Sequence, residues 1–91
     1  MADITVTGEG GTFVVDVRDG GGTTTHTVTV PPGFAEAMGW GPDDGPRLVR
    51  ASFEFLLERE PPTSILRRFS LDVIEGYFPA YPADMAARRR P

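Results

Sequence analysis

The sequence contains no cysteine and no lysine, a single histidine and a single tryptophan, and no apolar run near membrane-spanning length. Without cysteine there is neither a disulfide framework nor a thiolate metal site, so the 91 residues must hold together by packing alone. Without about twenty consecutive apolar residues there is no candidate membrane span. The start, Met1-Ala2-Asp3, lacks the basic and apolar segments of a secretory leader, which predicts a cytoplasmic protein. All nine basic residues are arginine, and the net charge of -4 disfavours non-specific adhesion to nucleic acid or to an anionic membrane. The charge is uneven: ten acidic residues face four arginines up to Glu60, and three face five from Pro61 onward.

What is present is an ordinary globular composition, 40% hydrophobic and 24% charged, in a length that suits one domain with one modest core, residues 1–91. The densest apolar segment is Arg47 to Glu60, RLVRASFEFLLERE. At about 100° per residue, Leu48, Val49, Ala51, Phe53, Phe55, Leu56 and Leu57 cover more than half of a helix, leaving Arg47, Arg50, Glu54 and Glu58 as the polar strip. Such a helix must be covered on two sides.

The first cover is predicted over residues 1–30. Ile4 and Val6, then Phe13, Val15 and Val17, then Thr24, His26, Val28 and Val30 alternate with polar residues, and glycine-rich turns at Gly8 to Gly11 and Asp19 to Gly22 separate the three runs. The pattern is an antiparallel meander with a solvent row of Thr23, Thr25, Thr27 and Thr29. Residues 31–46 read as a connection holding a short helix from Gly33 to Met38. Pro46 suits the first turn of the core helix, and Asp43 and Asp44 favour its positive end. The second cover is predicted in the helical part, 47–81: a turn of helix through Ile65, Leu66 and Phe69, then another carrying Leu71, Val73, Ile74, Tyr77 and Phe78. Residues 82–91 read as a fraying tail. The fold class is α+β, a three-stranded antiparallel meander followed by a core helix and two or three short helices packed on one face.

The segment Leu48 to Tyr81, LVRASFEFLLEREPPTSILRRFSLDVIEGYFPAY, together with the glycine-rich hairpin and THTVTVPPGFAEAMGW before it, resembles a family of small uncharacterised proteins found mainly in actinobacteria. The resemblance covers nearly the whole chain. It implies no activity, cofactor or catalytic residue, since none is assigned to that family.

Chemistry is sparse. His26 has no second histidine and no HExxH context, so a partly buried histidine hydrogen-bonded at the sheet margin outweighs a metal or acid-base role. Gly8-Glu9-Gly10-Gly11 leads into a strand and is a hairpin turn, not a phosphate cradle. Ser52, Ser64 and Ser70 lie in no nucleophile-elbow context. Glu54 and Glu58 are neighbours on a solvated helix face, with Arg47 and Arg50 near enough to offset them. Arg88-Arg89-Arg90 is a basic tail of the kind that touches phosphates, on an otherwise acidic chain. No catalytic residue, metal ligand or cofactor is expected.

There remains the group Trp40, Tyr77, Phe78 and Tyr81, set among proline and glycine. It either closes the edges of the core or forms a protein contact, since tryptophan and tyrosine bury large areas at low entropic cost. The expectation is a non-enzymatic interaction or regulatory module with an unknown protein partner or self-association as a homodimer, and no nucleic-acid or membrane partner. The competing readings are a small DNA-binding regulator, whose strand-helix-helix outline overlaps that of ribbon-helix-helix proteins, and a small enzyme without a recognisable motif.

Overall fold

A computed structural model describes residues 3–41 and 43–88; Met1 and Ala2 of the N-terminus, Pro42 of the connecting loop, and Arg89, Arg90 and Pro91 of the tail lie outside the described residues. Strands β1 (Asp3–Glu9), β2 (Thr12–Asp19) and β3 (Gly22–Thr29) form the expected antiparallel meander. Gly10 and Gly11 close the first hairpin with φ of 68° and 88°, the mirror-image turn that matches strand twist and that side chains with a Cβ resist. In the second hairpin the Asp19 carboxylate accepts a 2.9 Å bond from the Gly21 N–H. The alternation holds: Ile4, Phe13, Val15, Val17, His26 and Val28 are buried, and Thr5, Asp16, Thr25 and Thr29 are exposed.

After the short helix α1 (Phe34–Ala37), ended by Gly39, the core helix α2 runs Gly45–Leu57. It begins slightly earlier than the sequence suggests, and residues 58–60 form a turn instead of a last helical turn. Its start abuts the sheet so closely that a Cβ on Gly45 would lie 2.9 Å from the Phe13 ring. Leu48, Val49, Ala51, Ser52, Phe53, Phe55 and Leu56 are buried. Two of them show the two covers. Phe53 faces the sheet, with ring centroids 5.2 Å from His26 and 6.0 Å from Phe69, whereas Phe55 faces the C-terminal helices, 5.9 Å from Phe78 and 5.4 Å from Tyr81. Residues two apart on a helix point about 200° apart, so this opposition follows from the helical period.

The segment read as a helix through Ile65, Leu66 and Phe69 is extended. A 3₁₀ turn at Pro62–Ser64 is followed by a three-residue strand, β4 (Arg68–Ser70), which pairs parallel to β3 with Phe69 opposite Val28. The sheet is therefore four-stranded, in the order β1-β2-β3-β4, with β4 at an edge. Burial of Phe69 against Phe53 and pairing with β3 outweigh the local helical spacing. A 3₁₀ turn at Leu71–Val73 then runs into α3 (Ile74–Tyr77), and α4 spans Tyr81–Arg88.

The tail expectation is corrected by α4. Tyr81 and Met85 are fully buried, one helical turn apart, and Pro82 stands in the first turn, where a missing N–H leaves no hydrogen bond unmade. Arg88 closes the helix by bonding Asp84 at 2.7 Å and Glu58 at 2.9 Å. No helix among the described residues is long and apolar enough to cross a membrane.

Candidate functional site

The structure divides the four aromatic candidates. Trp40 is buried, and its indole N–H donates to the Met85 carbonyl at 3.0 Å, holding the loop after α1 against α4. Tyr81 is wholly inaccessible. Its hydroxyl is 2.7 Å from the Ser52 hydroxyl, which donates to the Leu48 carbonyl at 2.8 Å, so the phenol is the donor to Ser52. Burial pushes the Tyr81 phenol up to about 12. Trp40 and Tyr81 thus close the core and are not contact residues. Tyr77, by contrast, is 70% exposed, and Phe78 is half-buried beside it.

Tyr77 and Phe78 belong to a groove whose other apolar lining residues the sequence reading assigned to the core helix and its second cover, not to a contact. Leu56, Ile65 and Ile74 are its buried lining, Phe69 is half-buried, Leu66 and Val73 join Tyr77 as its exposed apolar residues, and Glu60 and Ser64 also line it. Of the four large apolar side chains exposed among the described residues, Val14, Leu66, Val73 and Tyr77, three line this groove. Its volume of about 170 Å³ is below the range of roughly 300–1,000 Å³ that holds a cofactor-sized ligand. It suits one or two inserted side chains. Val73 and Tyr77 share a face because they are four residues apart on consecutive helical turns. The sequence signal for Leu66 was present in its apolar character but was spent on a helix that does not form.

His26 does not line the groove but supports it from behind, through the backbone of Leu66. It is fully buried, Nδ1 lies 2.8 Å from the Leu66 carbonyl, and Nε2 lies 2.9 Å from the Thr24 hydroxyl. A carbonyl only accepts, so Nδ1 carries a proton and donates to Leu66, while Nε2 pairs with the Thr24 hydroxyl. The next carbonyl, of Arg67, accepts from the Thr27 N–H at 2.7 Å. The imidazole thereby extends the β3–β4 ladder by one bond through a side chain, holding the Leu66 backbone while its side chain stays 52% exposed. The sequence placed His26 at a sheet margin, and it is more enclosed than that.

Other candidates acquire structural partners. Asp44 accepts from the Gly41 N–H and pairs with Arg47 at 3.0 Å. Glu58 pairs with Arg59 and Arg88 instead of with the arginines of its own helix face. Arg88 of the basic tail is committed to Asp84 and Glu58, and those bonds, led by the one from Asp84, raise its pKa further. Among the described residues no three His, Cys, Asp or Glu side chains converge as a metal site requires.

No protein-family model, no curated protein and no solved structure matches the chain.

Proposed function

We propose that the chain is a non-enzymatic protein-contact module whose contact face is the apolar groove between β4 and α3. The observation that carries this reading is the gathering of Leu66, Val73 and Tyr77, exposed by 52%, 39% and 70%, around one groove at the edge of the sheet. Exposed apolar patches of a few hundred Å² on small proteins are commonly sites of association, and a tyrosine on such a rim is a favoured anchor.

The enzyme reading has less support. The Ser52 hydroxyl gives its proton to a carbonyl, which cannot act as a base, and both ring nitrogens of His26 are engaged inside the core. The DNA-binding reading loses Arg88 to ion pairs, and Arg67 and Arg68 are a small basic surface on a chain of net charge -4.

The test is affinity capture with the full chain as bait, comparing wild type with Leu66→Asp and Tyr77→Asp. The reading expects a protein retained in stoichiometric amount by the wild type and lost with both variants, whose melting midpoints stay within about 3 °C because both side chains are exposed. Equal retention by both variants contradicts it.

A further inference from the structure

Ser70 is the one serine or threonine of the chain with two consecutive arginines in the three positions before it: Arg67-Arg68-Phe69-Ser70, followed by the apolar Leu71. The fold displays this segment already extended. Arg68–Ser70 is the edge strand β4, paired on one side to β3 and with no strand on its other side among the described residues. The register sets Phe69 opposite the buried Val28, and Arg68 and Ser70 opposite Thr27 and Thr29. Arg68 and Ser70 therefore share the open face of the sheet, away from Phe69. There the Ser70 hydroxyl donates to the Thr29 carbonyl at 3.4 Å, longer than the roughly 2.5–3.0 Å of a full O–H···O bond. The other two serines are unlike it: Ser52 is fully buried and donates to the Leu48 carbonyl at 2.8 Å, and Ser64 follows Glu60, two prolines and Thr63.

Protein kinases that select basic substrates hold them as an extended chain and read arginines before the hydroxyl through carboxylates of their own. We infer that Ser70 is a phosphorylation site for an arginine-directed serine kinase, presented by β4. In the reaction the Ser70 Oγ attacks the γ-phosphorus of ATP, the bond from that phosphorus to the β,γ-bridging oxygen breaks, ADP leaves, and the hydroxyl proton passes to the kinase's catalytic aspartate. Leu71 is buried and Phe69 half-buried, so seating the segment on the kinase requires the edge to open locally. A three-residue strand at a sheet edge belongs to the low-cost end of such openings. The product carries about two negative charges, two residues from Arg68 and on the same face, where the guanidinium is placed to pair with it. Phe69, which lines the groove, is on the opposite face, so this site stands apart from the contact reading.

The experiment incubates the folded full chain with the catalytic subunit of an arginine-directed serine kinase and radiolabelled ATP, and locates the phosphate by mass spectrometry. It compares the wild type with Ser70→Ala, with Arg67→Ala/Arg68→Ala, and with Met85→Ala, a core deletion in α4, using thermal melts as the folding control. The inference expects stoichiometric label on Ser70, no label on Ser70→Ala, and a kcat/KM at least about tenfold lower for Arg67→Ala/Arg68→Ala. Met85→Ala should be labelled at the wild-type rate, because the edge strand of the folded chain is the substrate. Absence of label on the folded wild type, label on another residue, or a rate insensitive to the arginines overturns the inference. So does a rate that rises with the unfolded fraction in Met85→Ala, which makes the unfolded chain the substrate instead of β4.

Discussion

His26 and Leu66, 40 positions apart in the chain, are joined by a 2.8 Å hydrogen bond from the imidazole Nδ1–H to the backbone carbonyl. The bond ties the groove to the sheet through the Leu66 backbone. It anchors the main chain of a residue whose side chain projects outward, so the rim is built on the sheet and does not depend on a loose loop. The same ring packs on Phe53, the centre of the core helix, which links the packing of the interior to the shape of the surface.

Replacing His26 with Phe keeps the ring and removes both bonds, leaving the Leu66 carbonyl and the Thr24 hydroxyl unpaired. The expected cost is about 1–3 kcal/mol, read as a lower urea midpoint with unchanged slope. Exchange of the Thr27 amide, whose acceptor is the Arg67 carbonyl, should accelerate beyond the global effect. A cost below about 0.5 kcal/mol would mean that the bond does not anchor β4.

Phe53 is fully buried between the sheet and the body of its own helix. Phe53→Ala removes its contacts with His26 and Phe69 together, at a cost of about 3–5 kcal/mol, a large share of the stability of a domain this size. Denaturant unfolding measures it, and a cost below about 1 kcal/mol would contradict the central placement.

Tyr81 makes alkaline stability a test of the α4 docking. Its phenol titrates near 10.0 when unfolded and at about 12 when folded. The folded state therefore holds the proton more tightly. The stabilisation is complete below pH 10 and is lost as pH rises through 12, by about 2–3 kcal/mol. Tyr81→Phe removes this part of the alkaline decline, seen by comparing urea midpoints of the two proteins across that window. Parallel declines would contradict the buried phenol.

Duplex DNA should bind no more tightly than about 10 μM at physiological salt, weaker than the specific range, because Arg88 is already paired and the chain is acidic. Fluorescence anisotropy with a labelled duplex checks this. A sub-micromolar complex would reinstate the DNA-binding reading.

The meander and the core helix were legible because each carries a sustained period bounded by glycine or proline. β4 was not. Three residues are too few to display alternation, a parallel strand needs no adjoining turn, and Ile65 and Phe69 stand at helical spacing although Ile65 is extended. Trp40 and Tyr81 looked superficial because glycine and proline flank them. Their polar atoms decide otherwise, since the indole finds the Met85 carbonyl and the phenol finds Ser52, which makes burial tolerable. The four-residue spacing of Tyr81 and Met85 was the available signal for α4. For Tyr77 and Phe78 the sequence left core-closing and contact roles open, and Leu66 and Phe69 reach the same groove only through the fold.

The most direct measurement of the contact face is a series of amide correlation spectra of the labelled full chain, recorded with increasing amounts of the protein retained in the capture experiment. The account predicts progressive shifts confined to the amides of residues around Leu66, Phe69, Val73 and Tyr77, absent in Leu66→Asp. Shifts centred on the threonine face of the sheet, at Thr5, Asp16 and Thr25, or shifts that persist unchanged in Leu66→Asp, would contradict it.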